Sequence, residues 1–507
     1  MVFGTMMNTK PCNVEYWQHI VNTSMIGTDK KTISSTGLPS ALQNAAQIIF
    51  SNESSEKEDK FLQIASLALG FRQSGLLPLK KEQATIVVAG AEEKPYCSKM
   101  AVQVLKDILQ EESIPLLKFW LLHCTNKHQI VLPDLIADLM EIATAQKSLQ
   151  SLIAGCCGKR GEWLSQFNTA LHFSAPLPPE ELWQTGTPEQ RKKLLKETRA
   201  TDPATARAWV QQVWPQEDAA TKNSFLQVLE NNISPDDIAF LETISADKGK
   251  KIKETALELL KQIPGSPIVL QYQQILEQAV FLKKEKALLG LTTKTTLQFS
   301  LPGSIDESVF KSGIEKLSNS KEFTDDTFII SQLMRSVPLS FWEAHLQLKP
   351  EEIIQVFQKD ATGKKMIPSL VTAITKFRDT RWAVVMMQYS EVFYIDIIPL
   401  LPLELQDLYS SKFFGQFPDQ IITYATNRET EWNTELALLI LGHTAKNSYQ
   451  YNRSFYNQHI HLLPGKAALS LEKLSPAEDY LKSTWSNTSD YILKLLSLKA
   501  QTIQSFN

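Results

Sequence analysis

The sequence predicts an all-α protein whose middle is an α-solenoid of stacked helix pairs, with one short β-hairpin near residues 289–302. Three observations predict it. Only 19 of 507 residues are glycine, about half the ~7% of average usage, which disfavours turn-rich β architectures. Capping residues precede proline at Thr187-Pro188, Asp202-Pro203 and Ser234-Pro235, and each such pair marks a helix start. The third observation is a repeat. Trp209, Val210, Val213, Phe225, Leu226, Val228 and Leu229 lie 31 residues before Phe240, Leu241, Ile244, Ala256, Leu257, Leu259 and Leu260, so seven apolar positions superpose on seven. A further shift places Leu194 and Leu195 under Phe225 and Leu226, although the first helix of that unit does not match. Such a period is the mark of stacked supersecondary units.

Along the chain, Val14 to Val21 reads as one amphipathic piece, followed by a polar loop over 27–37. Leu42, Ala45, Ala46 and Ile49 fall at i, i+3, i+4 and i+7, and Phe61, Ile64, Ala65 and Ala68 repeat the theme after the charged linker 54–60; both are core-facing helices. Three more helical patterns run through Val102/Leu105/Leu109, Leu116/Leu117/Leu122 and Leu135/Leu139/Ile142. A helix over 268–288 closes the central array, and the Thr-rich alternation of 289–302 reads as strand. Helices are then expected over 351–358, 366–377, 382–389, 402–408, 419–424, 435–441 and 491–504, with 449–473 irregular. The organisation expected is an N-terminal helical region over 1–157, the repeat region over 158–288 and a C-terminal helical region over 289–507.

Charge excludes some function classes. With 52 basic and 55 acidic residues the net charge is −3, so the chain as a whole has no field that draws it to nucleic acid or an anionic membrane. The N-terminal residues lack the basic start and apolar run of a secretory signal. The apolar stretch 394–403 is broken by Asp396, Pro399 and Pro402 and falls short of the ~20 residues that span a bilayer. Five cysteines, Cys12, Cys97, Cys124, Cys156 and Cys157, are odd in number and irregularly spaced, as reduced thiols are. A cytoplasmic protein with no membrane segment is expected.

Two resemblances add to this. Asp247, Ile252, Lys253, Ala256, Leu259 and Leu260 resemble the second helix of a HEAT repeat, which makes the expected solenoid HEAT-like. Asp247 is suited to cap that helix, and Ala256 is small where helices approach. Met25-Ile26-Gly27-Thr28-Asp29, Phe71-Arg72-Gln73-Ser74-Gly75, Gly158-Lys159-Arg160-Gly161-Glu162-Trp163-Leu164 and Glu181-Leu182-Trp183-Gln184-Thr185-Gly186-Thr187-Pro188 carry the second, with Arg199-Ala200-Thr201-Asp202-Pro203 and Pro264-Gly265-Ser266 continuing it. Together they resemble a bacterial family of unknown function, typically encoded beside a MoxR-type AAA+ ATPase, a von Willebrand factor A-domain protein and a SWIM zinc-finger protein. The resemblance implies a HEAT-like helical protein in a neighbourhood of ATPase-driven remodelling. It implies no activity, and this chain carries Lys where the family's first and third units are Arg-rich.

Candidate sites follow from charge and spacing. Gly158-Lys159-Arg160-Gly161 is a tight basic loop able to offer backbone N–H groups and charge to a phosphate or carboxylate, but it lacks the spacing of a P-loop; a turn between helices, with Trp163 and Leu164 re-entering the core, is the simpler account. Arg191, Lys192, Lys193, Lys196 and Arg199, with Lys248, Lys250, Lys251 and Lys253, form two basic clusters that stacked repeats would align. About twelve basic and twelve acidic residues share 186–265, so a solvated face with i, i+4 pairs is the simpler account. Lys159, Arg160, Lys192, Arg199, Lys250 and Lys253 are therefore the candidates for binding a partner or an anion. Trp183, Trp209 and Trp214 are read as gap fillers between units, and Asp236-Asp237 as favourable charges at a helix start. His123, Cys124, His128, Cys156, Cys157, His459 and His461 lack the paired spacings of a structural zinc site, so no metal and no cofactor are expected. No nucleophile, base and orienter form a set. The function expected is a non-enzymatic protein–protein interaction scaffold working with the AAA+ ATPase or the von Willebrand factor A-domain protein. The alternative is a HEAT-like nucleic-acid-binding protein or base-excision enzyme that uses the Lys/Arg stripe.

Overall fold

Helical spacing of apolar residues sets nearly every element in the computed structural model, which describes residues 14–74, 88–168, 171, 178–246, 249–287 and 292–507. The chain divides at residue 88 into two units. The first holds α1 (Val14–Ile26), α2 (Ser40–Ser51) and α3 (Lys57–Ser74) around Tyr16, Ile20, Leu42, Ala46 and Ile64. Its 27–37 loop is tied back by the Tyr16 hydroxyl, which donates to the Ser34 carbonyl at 2.7 Å.

The second unit opens with α4 (Lys99–Gln110), α5 (Ile114–Asn126), α6 (Ile136–Ala145) and α7 (Gln150–Ser165). The repeat region follows as α8 (Pro179–Thr185), α9 (Pro188–Thr201), α10 (Pro203–Val213), α11 (Ala219–Leu229), α12 (Ile238–Ser245) and α13 (Lys250–Leu260). The bounds of α11 and α13 differ by 31 residues at both ends, so the sequence period is a structural one. Within it α9 packs on α11 and α11 on α13, and Leu195, Val210, Leu226, Leu241 and Ala256 are fully buried in their shared core. The capping signals hold. Thr187 makes a capping box with Gln190, and the Asp202 carboxylate accepts from the Thr205 N–H at 3.1 Å. Asp247, expected to cap α13, lies outside the described residues, as does Lys248.

Next come α14 (Pro267–Ala279), β1 (Val280–Ala287) and β2 (Thr292–Phe299), the strands pairing antiparallel with Val280 opposite Phe299 and Leu282 opposite Leu297. The hairpin therefore begins earlier than expected, and the helix drawn to residue 288 stops at Ala279. The cause is a change of period: Val280 is buried and Phe281 is 41% exposed, an alternation that a strand satisfies and a helix does not. The remaining helices are α15 (Glu307–Lys311), α16 (Asp325–Met334), α17 (Leu339–Leu346), α18 (Pro350–Lys359), α19 (Ala361–Phe377), α20 (Thr380–Tyr389), α21 (Leu403–Phe413), α22 (Pro418–Asn427), α23 (Thr434–Lys446), α24 (Arg453–His459) and α25 (Asp479–Ser505). The stretch read as irregular contains α24 and three short 3₁₀ turns, and α25 begins twelve residues earlier than expected, counting from 491 to 479.

The cores of the second unit join stretches far apart in the sequence. Residues 97–171 share one core with residues 414–506, while 272–409 build another. The last helix is the reason: α25 packs on α4 and α5, with Trp120 edge-on to Phe506 at 5.2 Å and the Ser98 hydroxyl donating to the Ser505 carbonyl at 3.2 Å. Burying each large apolar side chain there contributes about 1.5–3 kcal/mol.

Arg199, expected on a binding surface, is instead fully buried. Its Nη2 meets Asp237 Oδ2 at 2.6 Å, Nε donates to the Asn231 carbonyl at 2.7 Å, and the remaining N–H groups reach the Pro203, Leu229 and Asn232 carbonyls at 3.0–3.2 Å. Asn232 adopts a left-handed φ of 51°, tolerable for Asn, and its Nδ2 returns bonds to the Arg199 and Ala200 carbonyls. Asp237, read as a helix-dipole residue, is the counter-ion, and it also accepts from Arg207 at 3.0 Å and from the Ser234 N–H at 2.9 Å. The correction is physical: 31-residue stacking places the end of α9 against the end of α11 and the start of α12, where only a charge with many donors satisfies the converging carbonyls.

Arg199→Met removes the buried partner of Asp237 and leaves it only Arg207 and the Ser234 N–H, so urea unfolding should show a loss of up to about 3–5 kcal/mol. Burial raises the Asp237 pKa, yet the Arg199, Arg207 and Ser234 hydrogen bonds outweigh it and hold the carboxyl below its usual value. Its stabilisation is present above the ordinary carboxylate range and is lost as pH falls through the lowered pKa. The stability gap between wild type and Asp237→Asn should thus be widest near neutral pH and narrow below about pH 4; a constant gap contradicts the assignment.

Candidate anion-binding and partner-binding site

Gly158 has φ 61° and ψ −160°, a region that essentially only glycine occupies, and it kinks α7 into two legs. The basic Gly-Lys-Arg-Gly loop is thus the start of the second leg, where two N–H groups have no helical acceptor. Glu92 takes them: the Lys159 N–H donates to Glu92 Oε2 at 2.8 Å and the Arg160 N–H to Oε1 at 3.0 Å. The two N–H groups form a cradle, and the anion in it is a carboxylate of the same chain. The Lys159 ammonium turns to Glu162 at 3.3 Å, and the Arg160 side chain is exposed. A cleft of ≈ 240 Å³ lies beside the kink, bordered by Glu92, Glu93, Lys94, Gly155, Lys159 and Glu162.

The basic clusters separate. Lys250 and Lys253 are exposed and Lys192 is half-buried, whereas Arg199 belongs to the interior. Lys193 and Lys250 lie 4.0 and 3.9 Å from Glu197 and Glu254, one turn on, as in an ordinary solvated helix face. A finer row lies beneath. Arg191, Lys222 and Lys253 are 31 residues apart on α9, α11 and α13. The Arg191 guanidinium sits 4.6 Å from the Trp183 ring and bonds Glu217 at 2.7 Å, while the Lys222 ammonium lies 5.4 Å over Trp214. Trp183 and Trp214 are also 31 apart, so the cation-on-indole contact recurs with the repeat. Trp183 further stacks on Trp209 at 5.3 Å. Trp183 is buried and Trp209 and Trp214 are half-buried against the same core, which fits packing between units.

Cys97, Cys124, Cys156 and Cys157 are buried free thiols; Cys12 lies outside the described residues. Burial pushes the Cys97 thiol up to about 11, far from a reactive thiolate. Burial lowers His461 to about 4, so it is neutral at physiological pH. Among the described residues no three His, Cys, Asp or Glu side chains are placed to hold a metal ion, and no helix is long and apolar enough to cross a membrane.

Sequence reasoning missed one surface. A groove of ≈ 440 Å³ runs between α4, α5 and α6. Leu109, Ile114, Leu117 and Ile142 form its apolar floor, and Ile114 is 36% exposed. Glu112, Asp138 and Glu141 stand exposed on the rim, and no basic side chain pairs with them among the described residues. Beneath it the Ser113 hydroxyl is buried without a hydrogen-bond partner. Glu112 has a left-handed φ of 50°, which turns the chain sharply between α4 and α5. The local signals were Glu-Glu-Ser-Ile-Pro, a helix stop and start, and Asp138 with Glu141 one turn apart on α6; that Glu112 joins them on one rim is a non-local relation, which periodicity within one helix does not show.

The architecture defines an all-α protein built in part from stacked helix pairs. The chain belongs to a family of unknown function, DUF5691, whose sequence profile matches residues 19–506. No curated protein and no solved structure matches it significantly.

At Gly158 a Cβ would strike the Glu92 carboxylate on a backbone suited only to glycine. Gly158→Ala should therefore destabilise by about 1–3 kcal/mol from the backbone, with a further loss from the clash. Adding Glu92→Ala should relieve the clash but not the backbone cost, and it leaves the Lys159 and Arg160 N–H groups without their acceptor, so stability should not return to that of wild type. Chemical denaturation of wild type and the two variants checks this, and a Gly158→Ala protein as stable as wild type would refute the cradle.

Proposed function

We propose that this chain is a non-enzymatic protein–protein interaction scaffold that engages the AAA+ ATPase or the von Willebrand factor A-domain protein implied by the family resemblance. The observation that carries the reading is the groove between α4, α5 and α6. Its apolar floor and acidic rim suit an amphipathic helix whose apolar ridge is flanked by Lys or Arg. Apolar burial in such a groove supplies affinity, and the rim charges set orientation and association rate. Leu117 belongs to the core that holds Trp120, Leu121 and Leu139, and Leu109 and Ile142 pack against that core, so the floor is preformed and little ordering opposes binding. The nucleic-acid alternative has one observation in its favour, the Arg191, Lys222 and Lys253 row, but Glu217 and Glu254 interrupt its charge.

Affinity capture of the purified chain with each proposed partner tests this. Ile142→Arg should weaken capture at least about tenfold, as a buried charge facing an apolar ridge does. Glu141→Lys should mainly slow association and reduce its salt dependence. Capture unaffected by both variants removes the groove from the account. DNA binding that falls steeply with salt, with no partner captured, favours the alternative.

A further inference from the structure

The turn after α23 and the start of α24 face the N-terminal third of α25 across a cleft of ≈ 480 Å³, bordered by Ser448, Asn452, Arg453, Ser483, Thr484 and Asn487. That volume lies in the range of small-molecule sites, about 300–1,000 Å³. Every side chain lining it carries a hydroxyl, an amide or a guanidinium, and none a carboxylate. Arg453 supplies the positive charge. Its Nη2 donates to the Asn487 carbonyl at 3.2 Å, and the guanidinium lies 5.3 Å over the Tyr491 ring. One edge is thereby fixed while other N–H groups stay available, and no carboxylate pairs with Arg453 among the described residues.

A second observation is independent of charge. Ser448 is only 7% exposed, and its hydroxyl, at the base of the cleft, has no hydrogen-bond partner. A buried hydroxyl left unsatisfied is unfavourable and calls for an explanation. On the outer wall Ser483, Thr484 and Asn487 are exposed, so their polar groups meet whatever enters. A held guanidinium among neutral donors, with no competing carboxylate, selects a compact oxyanion.

We propose that this cleft binds the phosphate group of a small phosphorylated metabolite, with Arg453 pairing with the phosphate. The Thr484 and Ser483 hydroxyls and the Asn452 amide donate to the phosphate oxygens or to the hydroxyls of the rest of the ligand. The site is separate from the groove on α4 to α6, and either can fail without the other.

Calorimetric titration of the full chain with inorganic phosphate and with ribose 5-phosphate, at ionic strength held constant with chloride, tests the proposal. Saturable binding of both is expected. Arg453→Gln should weaken it at least about tenfold, as loss of a charge-assisted pair does, and Thr484→Val, a change at an exposed position, about threefold, as loss of a single neutral hydrogen bond does. Absence of saturable binding overturns the proposal, as does a folded Arg453→Gln protein that binds like wild type. If Arg453→Gln fails to fold, unchanged affinity in Thr484→Val overturns it. A phosphoserine peptide that binds more tightly than ribose 5-phosphate overturns the small-molecule assignment.

Discussion

The repeat region depends on one buried ion pair, Arg199 with Asp237. Removing a guanidinium and a carboxylate from water costs several kcal/mol per ion, and mutual attraction offsets this only where the remaining donors and acceptors are also satisfied. Here they are. All three guanidinium nitrogens are engaged, by Asp237 and by the Pro203, Leu229, Asn231 and Asn232 carbonyls. One side chain thereby fixes the end of α9, the end of α11 and the entry to α12. A lysine, with one compact ammonium, has neither the reach nor the number of donors for this. Apolar stacking of α9, α11 and α13 supplies stability, and the ion pair ties the end of α9 to the end of α11 and the entry to α12.

The same device recurs where other parts of the second unit join. Lys499, 5% exposed on α25, donates to the His461 and Leu463 carbonyls at 2.9 and 2.7 Å and pairs with Glu431. Arg428 pairs with Asp407 and donates to the Glu431 carbonyl at 2.9 Å. In each case a cation collects carbonyls from the end of an element and takes a carboxylate as counter-ion. The Gly158 kink inverts the signs, with N–H groups collected by the Glu92 carboxylate. Irregular connections that would leave polar backbone groups unsatisfied become rigid joints.

Much of the fold was legible because helices advertise themselves through local period and caps. The 31-residue offset located α11 and α13, and Thr187 and Asp202 marked helix starts. What stayed hidden is non-local. Nothing near Lys499 or Trp120 announces that the last helix returns to the α4–α5 core, because contacts between positions some 400 residues apart leave no period. Arg199 looked like its charged neighbours on α9, and its burial depends on Asp237, 38 residues on. The basic loop at 158–161 was legible as an N–H cradle, but its occupant, Glu92, was not. Single positions misled where a period changed, as at Ala279 and Val280.

The central claim is that Arg199 and Asp237 make α9 to α12 one cooperative block, and native-state hydrogen exchange on the intact chain tests it most directly. Amides in the last turn of α9, the last turn of α11 and the first turn of α12 should open together with a common free energy, because none of these ends can leave without exposing the ion pair. Separate opening of these segments, with distinct free energies, would contradict the account.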